Sequence, residues 1–333
     1  MSDQRPSTMR AAIFRSQEGI GVFDVSVPQP GPGQLLVRMW WASVCGSDVH
    51  MIFDGLHDPA MEGKPGFPGH EGVGEVVAGD LSTALPGVQL GSAVLTAPVG
   101  SAGGCFADYQ VVDATQLVPI PDGLDPKLAM MAQQLGTTVF ALHKFWPHST
   151  PPRVAVVQGS GSAGTFFEQL LLAQGAGTVI VSEPLQHRRA IALDLGATAA
   201  VAPEDLGAAV LDLSDGLGAD LVIEAAGFDV AREQAVGVVK YAGTIGCFGF
   251  PERGGSSPFP VYDCFRKALD VRWSVGAQIE PGIPAFREAM RLIERGVVRV
   301  DYCIGEIYPL ERVADALAAA REYAGVKSTV TLR

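Results

Sequence analysis

Residues 154–183 read VAVVQGSGSAGTFFEQLLLAQGAGTVIVSE, and their pattern of apolar residues and glycines sets the architecture of the middle of the chain. The apolar run VAVV has the composition of a short buried strand. Gly159, Gly161 and Gly164 follow it in the spacing G-x-G-x-x-G, and TFFEQLLLAQGA then has apolar residues at helical spacing. A second apolar run, TVIVSE, ends the stretch. The stretch therefore predicts strand, glycine turn, helix and strand, which is a βαβ unit with parallel strands.

A glycine turn between a strand and a helix is typical of a dinucleotide-binding site. The first glycine permits a tight turn, the second lets a pyrophosphate approach the backbone, and the third lets helix and strand pack closely. The positive end of the helix then faces phosphate. We expect the dinucleotide to contact Gly159, Gly161, Ser162, Ala163 and Gly164.

An acidic residue follows the second strand of this unit. Glu183 lies 24 residues after Gly159, where its carboxylate would accept hydrogen bonds from the adenosine ribose hydroxyls. This favours NAD over NADP. Arg188 and Arg189 lie close by, and Arg188 is a further candidate cofactor-binding residue, although a basic pair could also accommodate a phosphate on that ribose.

The alternation of strands and helices continues beyond this unit. Further apolar runs occupy 198–201, 219–227, 244–250 and 269–277, and helical patterns occupy 186–197 and 231–243. Strands separated by helices form a parallel sheet with helices on both faces. The middle of the chain is therefore predicted to be an α/β domain of the Rossmann type, with a doubly wound parallel sheet.

The two ends of the chain have a different composition. From Arg10 to about Val112 short β-branched runs alternate with Gly and Pro, which predicts an irregular, mainly β domain. Helical patterns are found at 125–145, 286–298 and 310–324, and KSTVTLR reads as a closing strand. We expect the last segment to return to the first domain, so that 1–137 and 277–333 form one domain and 138–276 the other.

Composition and charge exclude several classes of function. A chain of 333 residues with 47% hydrophobic residues is long enough for two cores. The net charge of −12 would repel a phosphate backbone, so we expect no nucleic-acid partner. The five cysteines are odd in number and widely spaced, and no stretch is apolar enough to cross a membrane. These features predict a cytoplasmic protein without a membrane partner.

A cluster of polar residues in the first domain has the composition of a metal site. It is formed by Cys45, Ser47, Asp48, His50, His70 and Glu71. Taken singly, each of these residues has a structural explanation, as a packing residue, a turn former or a surface side chain. Together, a thiolate, an imidazole and a carboxylate are ligand types that suit Zn²⁺. A Lewis acid that polarises oxygen, beside a nicotinamide, indicates redox chemistry between alcohols and carbonyl compounds.

With these motifs, the chain resembles the zinc-containing medium-chain dehydrogenase/reductase family, which includes alcohol, sorbitol, threonine and butanediol dehydrogenases. The matching motifs are C45-G-S-D-x-H50, P68-G-H-E-G-V-G74, GGCFADY at 103–109, the glycine pattern and S182-E-P-x-x-x-R-R189. The resemblance covers nearly the whole chain. It implies a GroES-like catalytic domain formed by both chain ends around the nucleotide-binding middle.

The resemblance also implies roles for the polar cluster. Cys45 and His70 would be zinc ligands, and Glu71 either a direct or an exchanging ligand. Relatives often carry a further ligand at the position of Gln133, where the neutral amide would coordinate weakly or act as an outer donor. Asp48 would orient the ligating histidine.

A second set of implied roles concerns the proton and the cofactor. Ser47 would take the substrate proton and pass it through the nicotinamide ribose to His50, since histidine exchanges protons readily near neutral pH. Thr137 would contact the nicotinamide, and Lys327 would neutralise the pyrophosphate. Relatives pair through the last strand of the nucleotide domain, here LDVRWSVGA, which implies a homodimer or homotetramer.

One family feature is missing from the sequence. Many relatives hold a structural zinc in a lobe with four cysteines, but the run between Pro98 and Tyr109 is VGSAGGCFAD, with one cysteine. We therefore expect one catalytic zinc and no structural zinc.

The leading hypothesis is an NAD-dependent, zinc-assisted dehydrogenase that interconverts a secondary alcohol or polyol and its ketone. One alternative is a zinc-free quinone or enone reductase of the same superfamily. Another is a non-catalytic NAD-binding protein, because Gln133 departs from the usual ligand types and fold does not fix function.

Overall fold

A computed structural model describes residues 6–99 and 104–333 of the chain. Its strands are β1 (Thr8–Arg15), β2 (Gly19–Ser26), β3 (Gln34–Ser43), β4 (Glu71–Gly79), β5 (Ala93–Thr96), β6 (Tyr109–Asp113), β7 (Leu117–Pro119), β8 (Val154–Gln158), β9 (Thr178–Ser182), β10 (Ala199–Val201), β11 (Ala219–Glu224), β12 (Val239–Cys247), β13 (Asp270–Trp273), β14 (Ile304–Pro309) and β15 (Lys327–Thr331).

The helices are α1 (Gly46–Phe53), α2 (Pro126–Ala129), α3 (Ala132–Phe145), α4 (Ser162–Ala173), α5 (Gln186–Leu195), α6 (Leu206–Leu213), α7 (Asp229–Val238), α8 (Val261–Arg266), α9 (Pro284–Glu294) and α10 (Val313–Arg321). None of the helices in the described residues is long and apolar enough to cross a membrane.

The described residues form two compact units. The first contains those of Met1–Gly136 together with Ala277–Gly296 and Val300–Arg333, and the second contains Thr137–Gly276 and Val297–Arg299. The short segment 297–299 thus belongs to the second unit, which the sequence did not predict. Gln169 on α4 holds it there, since its amide accepts from the Arg299 N–H at 2.7 Å and donates to the Arg299 carbonyl at 3.1 Å.

The second unit is built on a parallel sheet of six strands in the order β10-β9-β8-β11-β12-β13. The first strand of the unit, β8, lies in the middle, and the sheet grows outward in both directions. Because crossovers between parallel strands are right-handed, growth in opposite directions places the helices on opposite faces. The predicted doubly wound α/β fold is confirmed. Its core contains Val156, Ile180, Val222 and Ile245, all buried.

The first unit is mainly β. Seven strands form a mixed sheet in the order β14-β15-β3-β4-β5-β7, with β6 also paired to β3, and β1 and β2 form a separate antiparallel pair. Strand β15, near the end of the chain, pairs with β3, so that Thr329 lies opposite Ser43. Strand β4 pairs with the other edge of β3 and places Glu71 opposite Ser43 as well. Three distant segments therefore meet at one point of the sheet.

Some elements differ from the sequence prediction. The helix predicted over 231–243 is wrong in its second half, because α7 ends at Val238 and β12 begins at Val239. Pairing with β11, which sets Val239 opposite Ala219, outweighs the helical pattern there. Helix α6 and strand β14 were not predicted. The expected absence of a structural zinc lobe rests partly on residues 100–103, which lie outside the described residues.

Candidate functional site

The thiol of the candidate metal site lies at the start of a helix. Cys45 is the N-cap residue of α1, and its backbone N–H donates to Asp48 Oδ2 at 2.9 Å. An acid in the first turn is favourable because its negative charge meets the positive end of the helix. This cap fixes the direction in which the chain leaves β3, and it buries the Asp48 side chain completely.

The imidazole and the carboxylate follow each other where β4 begins. Glycines flank them, and a side chain at Gly72 would place its Cβ 2.5 Å from Met39 Cε and 2.8 Å from Cys105 Cβ. A Cβ at Gly69 would lie 2.9 Å from Cys105 Sγ. The glycines are therefore needed for close packing around the His-Glu pair. Cys105 itself is fully buried, and burial raises the pKa of its thiol well above the ordinary value.

The orientation of His70 follows from its partners. Its Nδ1 lies 3.0 Å from Asp48 Oδ1 and 3.3 Å from the Pro68 carbonyl oxygen. Both partners are acceptors, so Nδ1 carries a hydrogen and Nε2 is the nitrogen that a metal would bind in place of a proton. Burial opposes a positive charge on His70, but Asp48 and Cys45 outweigh it and raise its pKa well above the usual range. The same negative surroundings favour a bound cation.

Glu71 is held on one side only. Its Oε2 accepts hydrogen bonds from Ser43 Oγ and from the Lys327 ammonium, while its buried Oε1 has no hydrogen-bond partner among the described residues. Burial alone would raise the pKa of Glu71, but Lys327 and His70 lower it. The carboxylate is therefore ionised and presents one oxygen that is not engaged.

These three side chains meet one another. The ligand atoms offered by Cys45, His70 and Glu71 all lie within 4.8 Å of each other. Gln133, on α3, is also buried, and its Nε2 has no hydrogen-bond partner in the part of the chain that the structure describes. A thiolate, an imidazole nitrogen and a carboxylate oxygen at this spacing fit a tetrahedral zinc site with an open position.

Lys327 lies in this cluster. Its side chain is buried, and besides Glu71 it contacts the Val44 carbonyl oxygen at 3.3 Å. The sequence had predicted that this lysine neutralises a pyrophosphate, and that contact stays a prediction. The partner that the structure gives it, Glu71, was missed, as was Ser43. The sequence KSTVTLR gave no sign of either contact, because strand register cannot be read from one sequence.

The two residues of the predicted proton relay lie on α1. Ser47 and His50 are three residues apart, so their side chains share one side of the helix, and both are half-buried. His50 Nδ1 lies 2.7 Å from Asp54 Oδ2, a contact that the sequence analysis did not foresee. An acid four residues after a histidine on a helix would have been the signal.

The glycine turn of the second unit has the predicted form. Gly159 has φ +91°, which favours glycine, and a Cβ at Gly164 would lie 1.9 Å from the Gly159 carbonyl oxygen. A Cβ at Gly161 would meet nothing within 4 Å. The space beside Gly161 and the N-terminus of α4, where Ser162 and Ala163 lie, suits a phosphate group.

Glu183 is connected directly to this turn. It is buried, and its Oε2 accepts from the Ser160 N–H at 2.8 Å, while Oε1 accepts from the Leu185 N–H at 3.0 Å. Arg188 is also buried, and its carbonyl oxygen lies 3.4 Å from Ser160 Oγ. The structure thus brings Glu183 and Arg188 to the glycine turn. Thr137, half-buried on α3, is the first residue of the second unit.

Sequence models of known protein families match segments of both units. The sequence model of the family described as "Alcohol dehydrogenase GroES-like domain" matches residues 31–122, and that described as "Zinc-binding dehydrogenase" matches residues 163–295. Together they cover most of the chain. The chain belongs to the zinc-containing medium-chain dehydrogenase/reductase family.

Relatives of this dehydrogenase cover almost its full length. It is 29% identical over 330 residues to L-threonine 3-dehydrogenase of Pyrococcus horikoshii, with 91% of this chain and 92% of the relative covered. It is 24% identical over 362 residues to sorbitol dehydrogenase of Bacillus subtilis, with 97% and 96% covered.

A solved structure is similar as well. A putative zinc-binding dehydrogenase from Sinorhizobium meliloti, bound to NADP, has a TM-score of 0.80 and 26% identity and covers 98% of this chain and 99% of its own. The predictions of an alcohol dehydrogenase-type oxidoreductase, of a GroES-like domain and of a parallel-sheet domain are therefore confirmed.

Proposed function

We propose that this protein uses zinc and NAD to interconvert a secondary alcohol or polyol and its ketone. The observation that carries the proposal is the convergence of Cys45, His70 and Glu71 within 4.8 Å, in a chain whose second unit has a dinucleotide-type glycine turn. Either feature has other uses. Their combination matches a reaction that needs both a Lewis acid and a hydride acceptor.

Cys45, His70 and Glu71 would hold one catalytic zinc, with Gln133 as a weak ligand or an outer donor. Bound zinc supplies a Lewis acid that polarises the substrate oxygen and favours loss of the alcohol proton. Asp48 keeps the imidazole in the orientation that presents Nε2, because it lies on the opposite ring nitrogen. The Lys327 ammonium keeps Glu71 ionised and limits the carboxylate to a single free oxygen.

The chain's own groups for the proton are Ser47 and His50. The Ser47 hydroxyl would accept the proton that leaves the alcohol, and His50 would hold it before its release to solvent. In the direction of reduction the same groups would deliver a proton to the ketone oxygen. Their position on one side of α1 supports this assignment.

NAD is the proposed cofactor, and the Glu183 carboxylate supports it. A buried negative charge beside the glycine turn would repel a phosphate on the adenosine ribose. Gly159, Gly161, Ser162, Ala163 and Gly164 would receive the pyrophosphate, Arg188 and Lys327 would contribute positive charge, and Thr137 would contact the nicotinamide. We expect a kcat/KM at least about tenfold higher with NAD than with NADP, since one unfavourable charge contact costs more than about 1.4 kcal/mol. Equal values would remove this part of the proposal.

The decisive measurement combines metal content with activity. The wild-type protein should contain one zinc per subunit by elemental analysis and should oxidise at least one of L-threonine, sorbitol and 2,3-butanediol, which all carry a secondary hydroxyl. Cys45→Ala should lose zinc and activity together, because it removes the thiolate ligand. Cys264→Ala, which removes a thiol of the second unit, is the matched control and should keep both.

Two outcomes would contradict the proposal. Full activity in Cys45→Ala, or a wild-type protein that is active without metal, would favour a zinc-free quinone or enone reductase. Bound zinc and NAD without turnover of any alcohol or ketone would favour a non-catalytic binding protein.

The proposal includes the setting of the enzyme. We propose a cytoplasmic homodimer or homotetramer that acts on a small molecule and has neither a nucleic-acid nor a membrane partner. The net charge of −12 supports the exclusion of nucleic acid. Exposed apolar side chains at the β13 edge of the parallel sheet support an assembly of identical chains.

A further inference from the structure

We propose that Asp54 is a positioning residue for His50, which fixes the protonated ring nitrogen and balances the charge when His50 takes a proton. The inference rests on the proposed function, because it presupposes that His50 receives the proton of the alcohol. It starts from the contact of 2.7 Å between His50 Nδ1 and Asp54 Oδ2. This distance is that of a charge-assisted hydrogen bond.

The backbone holds Asp54 in place. It is the C-cap residue of α1, and its N–H donates to the His50 carbonyl oxygen at 3.1 Å. The chain then turns at Gly55, with φ +68°, and the Leu56 N–H donates to the same carbonyl at 3.2 Å. The acid is therefore anchored to the residue whose side chain it contacts.

A second histidine, in the loop that follows α1, forms a hydrogen bond with the end of this helix. His57 Nδ1 donates to the Met51 carbonyl oxygen at 2.9 Å, and its Nε2 lies 3.0 Å from Glu62 Oε1. The ring packs edge-on against Phe14, with 5.3 Å between ring centroids. Because the last carbonyls of the helix are satisfied in this way, the His50 and Asp54 side chains start from a fixed backbone.

Helix formation alone does not explain an acid at this position. The C-terminus of a helix carries a partial negative charge, which disfavours a carboxylate and favours a basic group such as His50. The contact with His50 offsets that cost. With side-chain exposures of 25% for His50 and 36% for Asp54, the pair is partly shielded from water, which strengthens its electrostatic interaction.

The chemistry of the pair follows from its geometry. An ionised carboxylate only accepts hydrogen bonds, so Nδ1 carries a hydrogen and Nε2 is the nitrogen that takes the incoming proton. In oxidation the alcohol loses one proton, which ends on His50 Nε2, and one hydride with two electrons, which goes to the nicotinamide. The imidazolium that forms is then neutralised by Asp54. In reduction the proton leaves Nε2 and both changes are reversed.

A double-mutant cycle tests this assignment with the zinc-loaded enzyme and the most active alcohol of the panel. Asp54→Asn keeps the shape of the side chain and removes its charge. We expect it to lower kcat about tenfold with KM unchanged within about twofold, since it weakens a proton-transfer group and not substrate binding. In a His50→Gln background the same substitution should change kcat less than about twofold, because the group that Asp54 supports is gone.

Further measurements separate positioning from a structural role. Asp54→Glu keeps the carboxylate and should retain most of the activity. Asp315→Asn removes an acid that is paired with Arg312 across one turn of α10 and is the matched control, which should behave like wild type. Zinc content and the melting temperature of each variant show whether the fold is retained.

The outcomes are distinguishable. If His50→Gln keeps full activity, the relay of the proposed function fails, and the assignment of Asp54 fails with it. If His50→Gln is impaired but Asp54→Asn is not, the relay stands and the Asp54 proposal is overturned. An equal loss from Asp54→Asn in both backgrounds, or a loss in Asp54→Glu as large as that in Asp54→Asn, would also overturn it, because neither result depends on a carboxylate that acts through His50.

Discussion

The side chain of Glu168 is a buried carboxyl group. It lies on α4, the helix that follows the glycine turn, with no exposed surface. Oε1 accepts from the Ala197 N–H at 3.1 Å, and Oε2 has no hydrogen-bond partner among the described residues. Burial raises its pKa from 4.5 to about 8. The side chain is therefore protonated at neutral pH, and its ionisation opposes folding.

This gives a prediction about pH and stability. Between the unfolded pKa of 4.5 and the folded value of about 8, the native state binds more protons than the unfolded state, so stability falls as pH rises. Glu168→Gln removes this dependence. The free energy of unfolding of Glu168→Gln relative to wild type should rise by up to about 1.4 kcal/mol per pH unit across this window.

Urea unfolding at pH 5, 6.5 and 8 measures the difference. Glu233→Gln, on α7, removes an exposed carboxyl group of the same unit and is the control for the substitution itself. A constant difference between Glu168→Gln and wild type would mean that Glu168 is already ionised in the folded protein.

Single residues also show what the sequence could not reveal. The types and spacing of Cys45, His70 and Glu71 were enough to predict a common site, because ligand chemistry restricts the choice. The contacts of Lys327 and Asp54 were not predicted. A lysine near the end of a chain and an acid at the end of a helix are ordinary surface residues until the strand pairing and the helix end are known.

Among the elements, the glycine turn between β8 and α4 shows most clearly which positions need a glycine. Two of its glycines differ in what surrounds them: a Cβ at Gly164 would lie 1.9 Å from a backbone oxygen, and a Cβ at Gly161 would meet open space. Gly161 has φ −71°, which any residue can adopt. The fold thus requires a glycine at 164 and not at 161.

Alanine substitutions should separate the two requirements. Gly164→Ala should lower the free energy of unfolding by about 2 kcal/mol or more, since backbone must shift to admit the methyl group. Gly161→Ala should fold with a nearly unchanged melting temperature and bind NAD at least about tenfold more weakly, because the methyl group occupies the space expected for the pyrophosphate. Differential scanning fluorimetry and calorimetric titration with NAD measure both.

The assignment of different roles to the two glycines would be wrong if Gly164→Ala were as stable as wild type. The assignment would also be wrong if Gly161→Ala bound NAD as tightly as wild type.

Elements with strong periodicity could be predicted from the sequence, and others could not. The pattern of 154–183 gave β8, α4 and β9, because buried strands and an amphipathic helix have distinct apolar spacing. The segment GVVKYAG was assigned to a helix and is partly strand, since pairing with β11 decides its conformation. Strand β14 is exposed at four of its six positions, and a strand of this kind has little apolar signal in the sequence.

At the scale of the whole molecule, the open edge of the parallel sheet is the main feature. Among the residues that the structure describes, no strand pairs with β13 on its outer side, and apolar side chains around this edge are exposed: Trp273 at 51%, Val275 at 86% and Phe265 at 80%. An unpaired edge with exposed apolar groups favours association, and a second copy could pair with it about a twofold axis. The proposed homo-oligomer therefore has a candidate interface here.

The interface predicts a change of assembly state. Val275→Asp should shift the protein from dimer or tetramer to a smaller species, because the charge would be buried against its partner. Size-exclusion chromatography with light scattering gives the mass. Leu217→Asp changes an exposed leucine of the same unit, 66% accessible and outside this edge, and is the control. An unchanged mass in Val275→Asp would place the contact elsewhere.

The pairing of β15 with β3 affects how the protein is made. A ribosome releases β3 and β4 long before residues 327–331. Until those residues are made, the growing chain exposes the part of β3 that pairs with β15, residues 41–43, and Glu71 lacks its lysine. The second unit is nearly continuous in the chain and can fold while translation proceeds. Nascent chains that stall before β15 would therefore carry a folded second unit and an incomplete first unit. Chaperones and proteases would recognise the incomplete first unit.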